Sequence, residues 1–136
     1  MIVLDATVVA KWYLPEPGSD RAEAFAEEAV EVCAPAILRL EVLSAISRRY
    51  RTGGINASDA ETMMAEWLED LETGTPKLWP DDDDLESALR LSLRIRHAVV
   101  DCLYLACAMR LDTDLVTADE NLFRRARGIH GKIRIL

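Results

Sequence analysis

Four acidic residues of this 136-residue chain stand at the edges of apolar runs: Asp5, Glu41, Asp101 and Asp119. An ionised carboxylate that leaves water costs several kcal/mol unless it is paired or bound to a metal ion. Four such side chains that converge would form a site for a divalent cation. Because the sequence offers no nitrogen or sulfur set at ligand spacing, an all-oxygen site suits Mg²⁺ or Mn²⁺ rather than zinc. The chemistry that fits is the hydrolysis of phosphate esters.

Two of the four acids follow short apolar runs of strand character. Asp5 comes after residues 2–4, and Asp119 comes after residues 115–118. In an open parallel sheet, ligands bind beyond the carboxyl ends of the strands, near the point where strand order reverses. If these two strands are neighbours, both side chains face one crevice, and Glu41 and Asp101 enter it from helices.

Strand-length apolar runs alternate with segments of helical periodicity, which is typical of an α/β domain with a parallel sheet. We predict strands at residues 1–4, 32–34, 77–79, 114–117 and 132–135. We predict helices at residues 7–13, 19–31, 85–96, 99–110 and 120–127, and two more that run from Pro35 to Gly53 and from Ser58 to Gly74. The helix at 99–110 is apolar on nearly all sides, so it is expected in the interior.

Several residues are of types that commonly begin helices. Thr7 is expected to cap the first helix, and Pro35 fits an early helical position. Ser58 and Glu61 match a capping box. The run 81–84 is expected to be a solvated turn and the N terminus of the next helix, because consecutive acids cannot all surround one ion.

The length predicts a single domain over residues 1–136. The longest apolar stretches are far shorter than the ~20 residues that a membrane span needs, and the chain starts directly with a strand. We therefore expect a soluble, cytoplasmic protein with no membrane partner. The cysteines, Cys33, Cys102 and Cys107, form no CxxC pair and are expected to be reduced core residues.

The formal net charge is −8, from 16 basic and 24 acidic residues. Taken alone, this charge argues against a nucleic-acid partner, since phosphate binding usually needs a basic surface. Arginines nevertheless cluster at residues 48–51, 90–96 and 124–127. These clusters could also be solvated helix faces or charges at helix C termini.

The motifs around the four acids resemble the PIN domain, and more closely the small VapC toxins of bacterial and archaeal type II toxin-antitoxin pairs. The resemblance covers the whole chain in order and spacing. It is carried by Asp5-Ala6-Thr7, Leu40-Glu41-Val42, residues 101–108 and Val116-Thr117-Ala118-Asp119. The resemblance implies a three-layer α/β/α fold with a central, mostly parallel sheet of four to five strands.

The same resemblance implies a Mg²⁺-dependent endoribonuclease that cuts single-stranded RNA or RNA loops, leaving a 3′-hydroxyl and a 5′-phosphate. Asp5 and Asp101 match the principal metal ligands, and Asp119 matches a further ligand. Glu41 matches the acid that positions or deprotonates the attacking water. The residues that match a supporting shell are Thr7, Thr117 and, more weakly, Asn121.

Relatives of this kind generally form homodimers. A cognate antitoxin wraps the dimer and places an arginine-bearing tail in the acidic site. The resemblance therefore implies a homodimer with an antitoxin partner as well as an RNA substrate. The negative charge of the chain would attract such a basic partner.

Each acid also has a purely structural interpretation. Asp5 and Asp119 could cap the helices that follow them, and a helix N terminus favours Asp101 without any metal. Glu41 could pair with an arginine of its own helix. The histidines, His97 and His130, are too far from any partner in sequence to suggest a metal pair, and both are expected to be surface or packing residues.

Two rival functions remain open. A phosphatase of the haloacid-dehalogenase type also begins with an aspartate after its first strand. That mechanism needs a second aspartate two residues on, where this chain has Thr7, and a lysine that the chain lacks at the expected strand end. The other rival is a non-catalytic binding module that keeps the PIN fold.

Overall fold

A parallel sheet organises the fold. The computed structural model of the protein describes residues 1–28 and 31–136, and within them five strands lie in the order β3-β2-β1-β4-β5, with every neighbouring pair parallel. The strands are β1 (Ile2–Leu4), β2 (Val32–Pro35), β3 (Lys77–Trp79), β4 (Asp114–Thr117) and β5 (Ile133–Ile135). The predicted α/β/α architecture with a parallel sheet of four to five strands is confirmed.

The strand order reverses between β1 and β4. From β1 the chain moves outward through β2 to β3, and it then returns to the other side of β1 to form β4 and β5. The register of the central pair sets Leu4 beside Val116, so these two strands end at the same level. The turns after β1 and β4 therefore lie side by side, at the place where ligands bind in sheets of this type.

Helices cover the sheet in two layers. Helix α6 packs against β1, β2 and β4, and α5 packs along α6. Helix α1 contacts α2 and α3, and α3 packs against α4. The helices are α1 (Ala6–Val9), α2 (Ser19–Glu27), α3 (Leu38–Arg51), α4 (Ala57–Thr73), α5 (Leu85–Ile95), α6 (Val99–Arg110) and α7 (Glu120–Ala126). Short 3₁₀ turns follow α1 at Ala10–Trp12 and precede α5 at Asp81–Asp83.

Several predicted helix starts are wrong. Helix α1 begins at Ala6, because the carboxylate of Asp5, and not Thr7, accepts the backbone N–H groups that open it. Asn56 caps α4 by accepting from the N–H of Asp59, in place of the predicted capping box. Polar side chains one or two residues upstream took these roles, since an N-cap needs an extended backbone that the structure gives to Asp5 and Asn56.

Two other predicted boundaries differ. Pro35 is the last residue of β2 rather than an early helical residue, and α3 starts only at Leu38. Helix α2 ends at Glu27 instead of continuing to residue 31, and residues 29 and 30 of the predicted range lie outside the described residues. The predicted helix C termini at Gly53 and Gly74 agree with the structure, where both glycines have the positive φ that a helix end uses.

The core lies between the sheet and the helices. In α6 the side chains from Cys102 to Ala108 are all buried, which confirms that this helix runs through the interior. The three cysteines are buried and free, as predicted. Within residues 1–28 and 31–136, no helix is both long and apolar enough to cross a membrane.

An ion pair between a buried carboxylate and an exposed guanidinium joins the start of α5 to the end of α6. Asp84 is only 2% exposed, and its two carboxylate oxygens accept from Nε and Nη2 of Arg110 at 2.8 and 2.9 Å. The expectation of a solvated turn over residues 81–84 is therefore wrong for Asp84. The two donors of a guanidinium match the two oxygens of a carboxylate, which makes burial of the acid tolerable.

We predict that Arg110→Gln lowers the free energy of unfolding by about 3 kcal/mol, because it leaves the Asp84 carboxylate buried without its counter-ion. Urea denaturation at neutral pH measures this loss. Arg90→Gln is the matched control, since Arg90 pairs with Glu86 on the exposed face of α5 and such pairs contribute less than about 1 kcal/mol. Adding Asp84→Asn should recover part of the loss; equal effects of Arg110→Gln and Arg90→Gln would contradict the prediction.

Candidate active site

Asp5 is the most buried of the four acids and lies directly after β1. Its side chain is 4% exposed. One oxygen, Oδ1, accepts from the backbone N–H of Thr7 at 3.0 Å, from the hydroxyl of Thr7 at 2.5 Å and from the N–H of Val8 at 3.3 Å. These donors fix the carboxylate against the first turn of α1.

Asp119 lies two residues after the end of β4 and makes the same kind of contacts as Asp5. Its Oδ1 accepts from the N–H groups of Asn121 at 2.8 Å and Leu122 at 3.2 Å, so it caps α7. The structural interpretation of Asp5 and Asp119 as helix caps is therefore correct. It does not compete with a ligand role, because each cap uses only one of the two carboxylate oxygens.

Two threonines join the turns that carry these aspartates. The Thr7 hydroxyl donates to Asp5 and accepts from the N–H of Ala118 at 2.8 Å. The Thr117 hydroxyl accepts from the N–H of Asp119 at 3.0 Å and lies 3.5 Å from the Thr7 hydroxyl. The hydroxyls thus hold the two strand ends at a fixed separation, in the bracing position predicted for them.

Asp101 reaches the same place from the first turn of α6. This helix leads into β4 and runs antiparallel to it, so its N terminus lies at the carboxyl edge of the sheet. Asp101 Oδ2 lies 2.8 Å from Nε2 of His97, and Asp119 Oδ2 lies 3.5 Å from the same nitrogen. These three ligand atoms all lie within 4.8 Å of one another.

The expectation that His97 is only a surface or packing residue is wrong. Its side chain is 11% exposed and faces two of the predicted metal ligands. The predicted all-oxygen donor set did not include this imidazole, whose nitrogen lies beside the carboxylate oxygens of Asp101 and Asp119. The spacing of four residues between His97 and Asp101 was the available signal, because groups so spaced meet along one side of a helical turn.

Glu41 enters from the first turn of α3, the helix that follows β2. Its Oε2 accepts a hydrogen bond of 2.5 Å from the hydroxyl of Tyr104, a buried residue of α6. Glu41 therefore does not pair with an arginine of its own helix through this oxygen. Tyr104 was missed in the sequence, although it lies three residues after Asp101 and so on the same side of α6.

Burial and, to a smaller extent, the charge of Asp101 raise the pKa of Asp5, which is about 6 once all influences are included. The hydroxyls of Thr117 and Thr7 and the N–H of Val8 act in the opposite direction, because they stabilise the ionised form. At neutral pH the carboxylate is thus ionised at a cost, which a cation beside it would offset.

Burial likewise raises the pKa of Glu41 and of Asp101. For Glu41 the hydrogen bond from Tyr104 lowers the pKa and the charge of Asp101 raises it. For Asp101 the nearby His97 lowers the pKa and the charge of Asp119 raises it. Asp101 thus interacts electrostatically with all three other acids, which are brought together as one cluster.

Asn121 is placed differently from the other shell residues. Its side-chain oxygen accepts from the guanidinium of Arg124, and the side chain is exposed. Its backbone N–H, rather than its side chain, contacts Asp119.

A cleft of about 800 Å³ opens in front of the acids. Thr7, Glu41 and Asp101 line one end, and Arg48 lines the other end two turns further along α3. The rest of the lining combines apolar with polar side chains. The apolar ones include Ala6, Ala10, Leu14, Ile37, Leu40 and Ala45, and the polar ones include Lys11, Ser44 and Thr52. The cleft therefore joins an acidic end to a basic end across a floor that is partly apolar.

At the basic end of the cleft, Glu16 forms ion pairs with two basic side chains. Glu16 accepts from Lys11 at 2.9 Å and from Arg49 at 2.7 Å. Arg48, in contrast, is exposed. A phosphate group in the cleft could therefore contact Arg48 without breaking the Lys11–Glu16–Arg49 ion pairs.

The donor set fits a divalent cation. Asp101 and Asp119 place carboxylate oxygens within 4.8 Å of each other and of a His97 ring nitrogen. Asp5 is not part of that closest group, but it lies near enough for the charge of Asp101 to raise its pKa. Mg²⁺ and Mn²⁺ both take carboxylate ligands, and Mn²⁺ also accepts imidazole nitrogen. The raised pKa values of Asp5 and Asp101 are those expected of acids whose mutual repulsion a bound cation would relieve.

Comparisons with known proteins agree with this arrangement. The family model of the PIN domain matches residues 2–129. Ribonuclease VapC3 of Pyrobaculum aerophilum is 28% identical over 121 residues, which cover 89% of this chain and 91% of that protein.

Two solved structures share the fold. FitAcB from Neisseria gonorrhoeae superposes with a TM-score of 0.67 at 18% identity, covering 100% of this chain and 96% of that chain. FitAB bound to the IR36 DNA fragment gives a TM-score of 0.72 at 17% identity, covering 100% of this chain and 94% of that chain. At these identities the likeness concerns the fold alone.

We predict that Tyr104→Phe raises the pKa of Glu41, because the hydrogen bond that stabilises its ionised form is lost while burial and the charge of Asp101 remain. Carbon-13 NMR titration of the glutamate carboxyl groups in EDTA measures the change. Tyr13→Phe is the matched control, since the Tyr13 hydroxyl donates to Asp70 at the same 2.5 Å distance away from the cluster. An unchanged Glu41 titration in Tyr104→Phe would refute the assignment.

We also predict that Asp5→Asn stabilises the metal-free protein at pH 7.5. The pKa of Asp5 is about 6 in the folded protein, against an ordinary value of 3.8 for the unfolded chain. The folded state therefore binds the proton more tightly, and the free energy of unfolding falls as the pH rises from about 4 to 6. The full loss is roughly 3 kcal/mol, and Asn avoids it while keeping the oxygen that caps α1.

Urea denaturation of both proteins in EDTA, from pH 4 to pH 8, tests this linkage. The difference in free energy of unfolding between Asp5→Asn and wild type should be small at pH 4. Above pH 6.5 it should favour the variant by up to about 2 kcal/mol, because the imperfectly hydrogen-bonded amide of the new asparagine offsets part of the gain. A difference that is independent of pH would show that Asp5 does not carry the raised pKa.

Proposed function

Because the chain belongs to the PIN domain family, we propose that it is a divalent-metal-dependent endoribonuclease that hydrolyses RNA phosphodiester bonds. The family assignment predicted from the sequence is confirmed by the match over residues 2–129. The observation that carries the activity is the gathering of Asp5, Glu41, Asp101 and Asp119 into one electrostatic cluster. Two of its members, Glu41 and Asp101, line one end of an open cleft. Such a cluster is costly to fold and is explained by a cation that binds there.

In the proposed mechanism, Asp5, Asp101 and Asp119 hold Mg²⁺ or Mn²⁺. The bound ion would lower the pKa of a water molecule, polarise the phosphoryl oxygen and stabilise the leaving oxygen. Asp5 and Asp119 each present one oxygen to the site, because their Oδ1 atoms are engaged by the backbone N–H groups of α1 and α7. Thr7 and Thr117 keep these carboxylates in position.

Glu41 has the role of the base in this proposal. Tyr104 orients its carboxylate, and the raised pKa brings it closer to the value at which a base accepts a proton effectively near neutral pH. The attacking water passes a proton to Glu41 as its oxygen bonds to phosphorus. The bond from phosphorus to the 3′-oxygen breaks, and this oxygen takes a proton from solvent, which leaves a 3′-hydroxyl and a 5′-phosphate.

The cleft suits a single RNA strand. The apolar part of its floor can accept the face of a base or a ribose, and the exposed Arg48 can contact a phosphate that flanks the cleaved bond. Unstacked bases need such a surface, whereas a duplex buries its base edges. This local arrangement accommodates RNA despite the net charge of −8.

We further propose that the chain is the VapC-type toxin of a toxin-antitoxin pair. The support is its similarity to Ribonuclease VapC3 over most of both chains. A homodimer, a cognate antitoxin and a cytoplasmic location belong to the same proposal, as does the extent of the domain over residues 1–136. The acidic site would attract a basic antitoxin tail, which would block it by occupying the place of the cation.

We predict that the purified chain cuts single-stranded RNA with Mg²⁺ or Mn²⁺ and that EDTA abolishes the cleavage. Asp101→Asn should reduce the rate at least 100-fold, since it removes a ligand and a charge at the centre of the cluster. Asp112→Asn is the matched control, because Asp112 is exposed and pairs with Lys132 elsewhere.

Three results would contradict the proposed activity. Equal cleavage by wild type and Asp101→Asn would indicate a contaminating nuclease. Release of phosphate from p-nitrophenyl phosphate without RNA cleavage would favour the phosphatase. Tight RNA binding without cleavage in either metal would favour the non-catalytic module.

A further inference from the structure

One nitrogen atom faces two of the proposed metal ligands. Nε2 of His97 lies 2.8 Å from Asp101 Oδ2 and 3.5 Å from Asp119 Oδ2. In Asp119 this is the oxygen that does not cap α7, since the cap uses Oδ1. Three ligand atoms from three separate positions thus converge on one small volume.

The turn between α5 and α6 fixes the position of this imidazole. Arg96 ends α5 with a left-handed backbone of φ 54°, which turns the chain sharply at His97. The N–H of His97 donates to the carbonyl of Ser92 at 3.3 Å, and the Ser92 hydroxyl donates to the carbonyl of His97 at 2.6 Å. The side chain is only 11% exposed, so the ring is held at the cluster rather than free in solvent.

The spacing of the three atoms matches a metal coordination sphere. Bonds of about 2.1 Å to nitrogen and oxygen place adjacent ligand atoms about 3.0 Å apart in an octahedron and about 3.4 Å apart in a tetrahedron. The two distances from His97 Nε2, 2.8 and 3.5 Å, lie close to these values. A cation can therefore be bound by all three groups with only small side-chain movements.

We propose that His97 is a direct ligand of the divalent ion and gives the site a preference for Mn²⁺ over Mg²⁺. Mg²⁺ strongly prefers oxygen ligands, whereas first-row transition ions bind imidazole well. A set of carboxylates with one imidazole is suited to an ion that accepts both, and Mn²⁺ does. This inference rests on the proposed metal-dependent function and specifies the ion of that same site.

The same geometry would also arise if the imidazole acted as a counter-ion. A protonated His97 would then occupy the place of the cation between Asp101 and Asp119, and a metal would have to displace it. The two roles have opposite consequences for variants. Loss of a ligand weakens binding of the metal, while loss of a competing cation strengthens it.

Pulsed EPR of Mn²⁺ bound to the wild-type chain tests the ligand role directly, without RNA and without turnover. A directly bonded imidazole produces nitrogen modulation of the Mn²⁺ spin echo. We expect this modulation in wild type and in His130→Gln, and its loss in His97→Gln. His130 is the matched control, because it is the other histidine and binds the carbonyl of Thr113 away from the cluster.

Mn²⁺ titrations followed by the EPR signal of the free ion supply the affinities, and competition with Mg²⁺ supplies the selectivity. His97→Gln replaces nitrogen with an oxygen donor, so we expect Mn²⁺ affinity to fall at least about 10-fold while Mg²⁺ affinity stays within about 2-fold. Even partners outside the coordination sphere are worth about 10-fold or more in metal affinity.

Two results would overturn the inference about His97 and leave the proposed function standing. One is a wild-type chain that binds Mn²⁺ without nitrogen modulation, and the other is tighter binding of both ions by His97→Gln. A wild-type chain that binds neither ion would overturn the proposed metal-dependent function as well. Circular dichroism of each variant establishes that it is folded.

Discussion

The parallel pairing of β1 with β4 is the interaction on which the rest of the site depends. Asp5 and Asp119 come from opposite ends of the sequence, and the register of these two strands places the turns after them side by side. Thr7 and Thr117 then connect the turns through their hydroxyl groups. Helices α3 and α6 begin at the same edge, so each adds one acid to the pair.

Bringing these acids together opposes folding, and the structure reduces the cost in a different way at each one. Backbone N–H groups and hydroxyls stabilise Asp5, a tyrosine hydroxyl stabilises Glu41, and an imidazole stabilises Asp101. The compensation is incomplete, because the pKa values of all three remain raised. Sites that bind a cation have this character, since complete compensation by the protein would leave no driving force for the ion.

Much of this arrangement was predictable from the sequence, because apolar periodicity reveals strands and a parallel α/β sheet leaves few choices for where they end. The convergence of Asp5 and Asp119 followed from that reasoning. Partners that depend on side-chain direction between elements were not predictable. Tyr104 meets Glu41 only because α6 and α3 approach each other at the sheet edge, and His97 reaches Asp101 only through the left-handed turn before it.

The capping of α1 by Asp5 and of α7 by Asp119 limits how the site can adapt to ions of different size. Each carboxylate is anchored through Oδ1 to backbone N–H groups, so rotating it toward or away from an ion would break the start of a helix. The positions of the two aspartates therefore depend on two adjacent strands, whose spacing in a sheet is about 4.8 Å. Lengthening either side chain to Glu would disturb the start of a helix and move the carboxylate at the same time, so the backbone of these two turns would restrict the size of a cation bound between them.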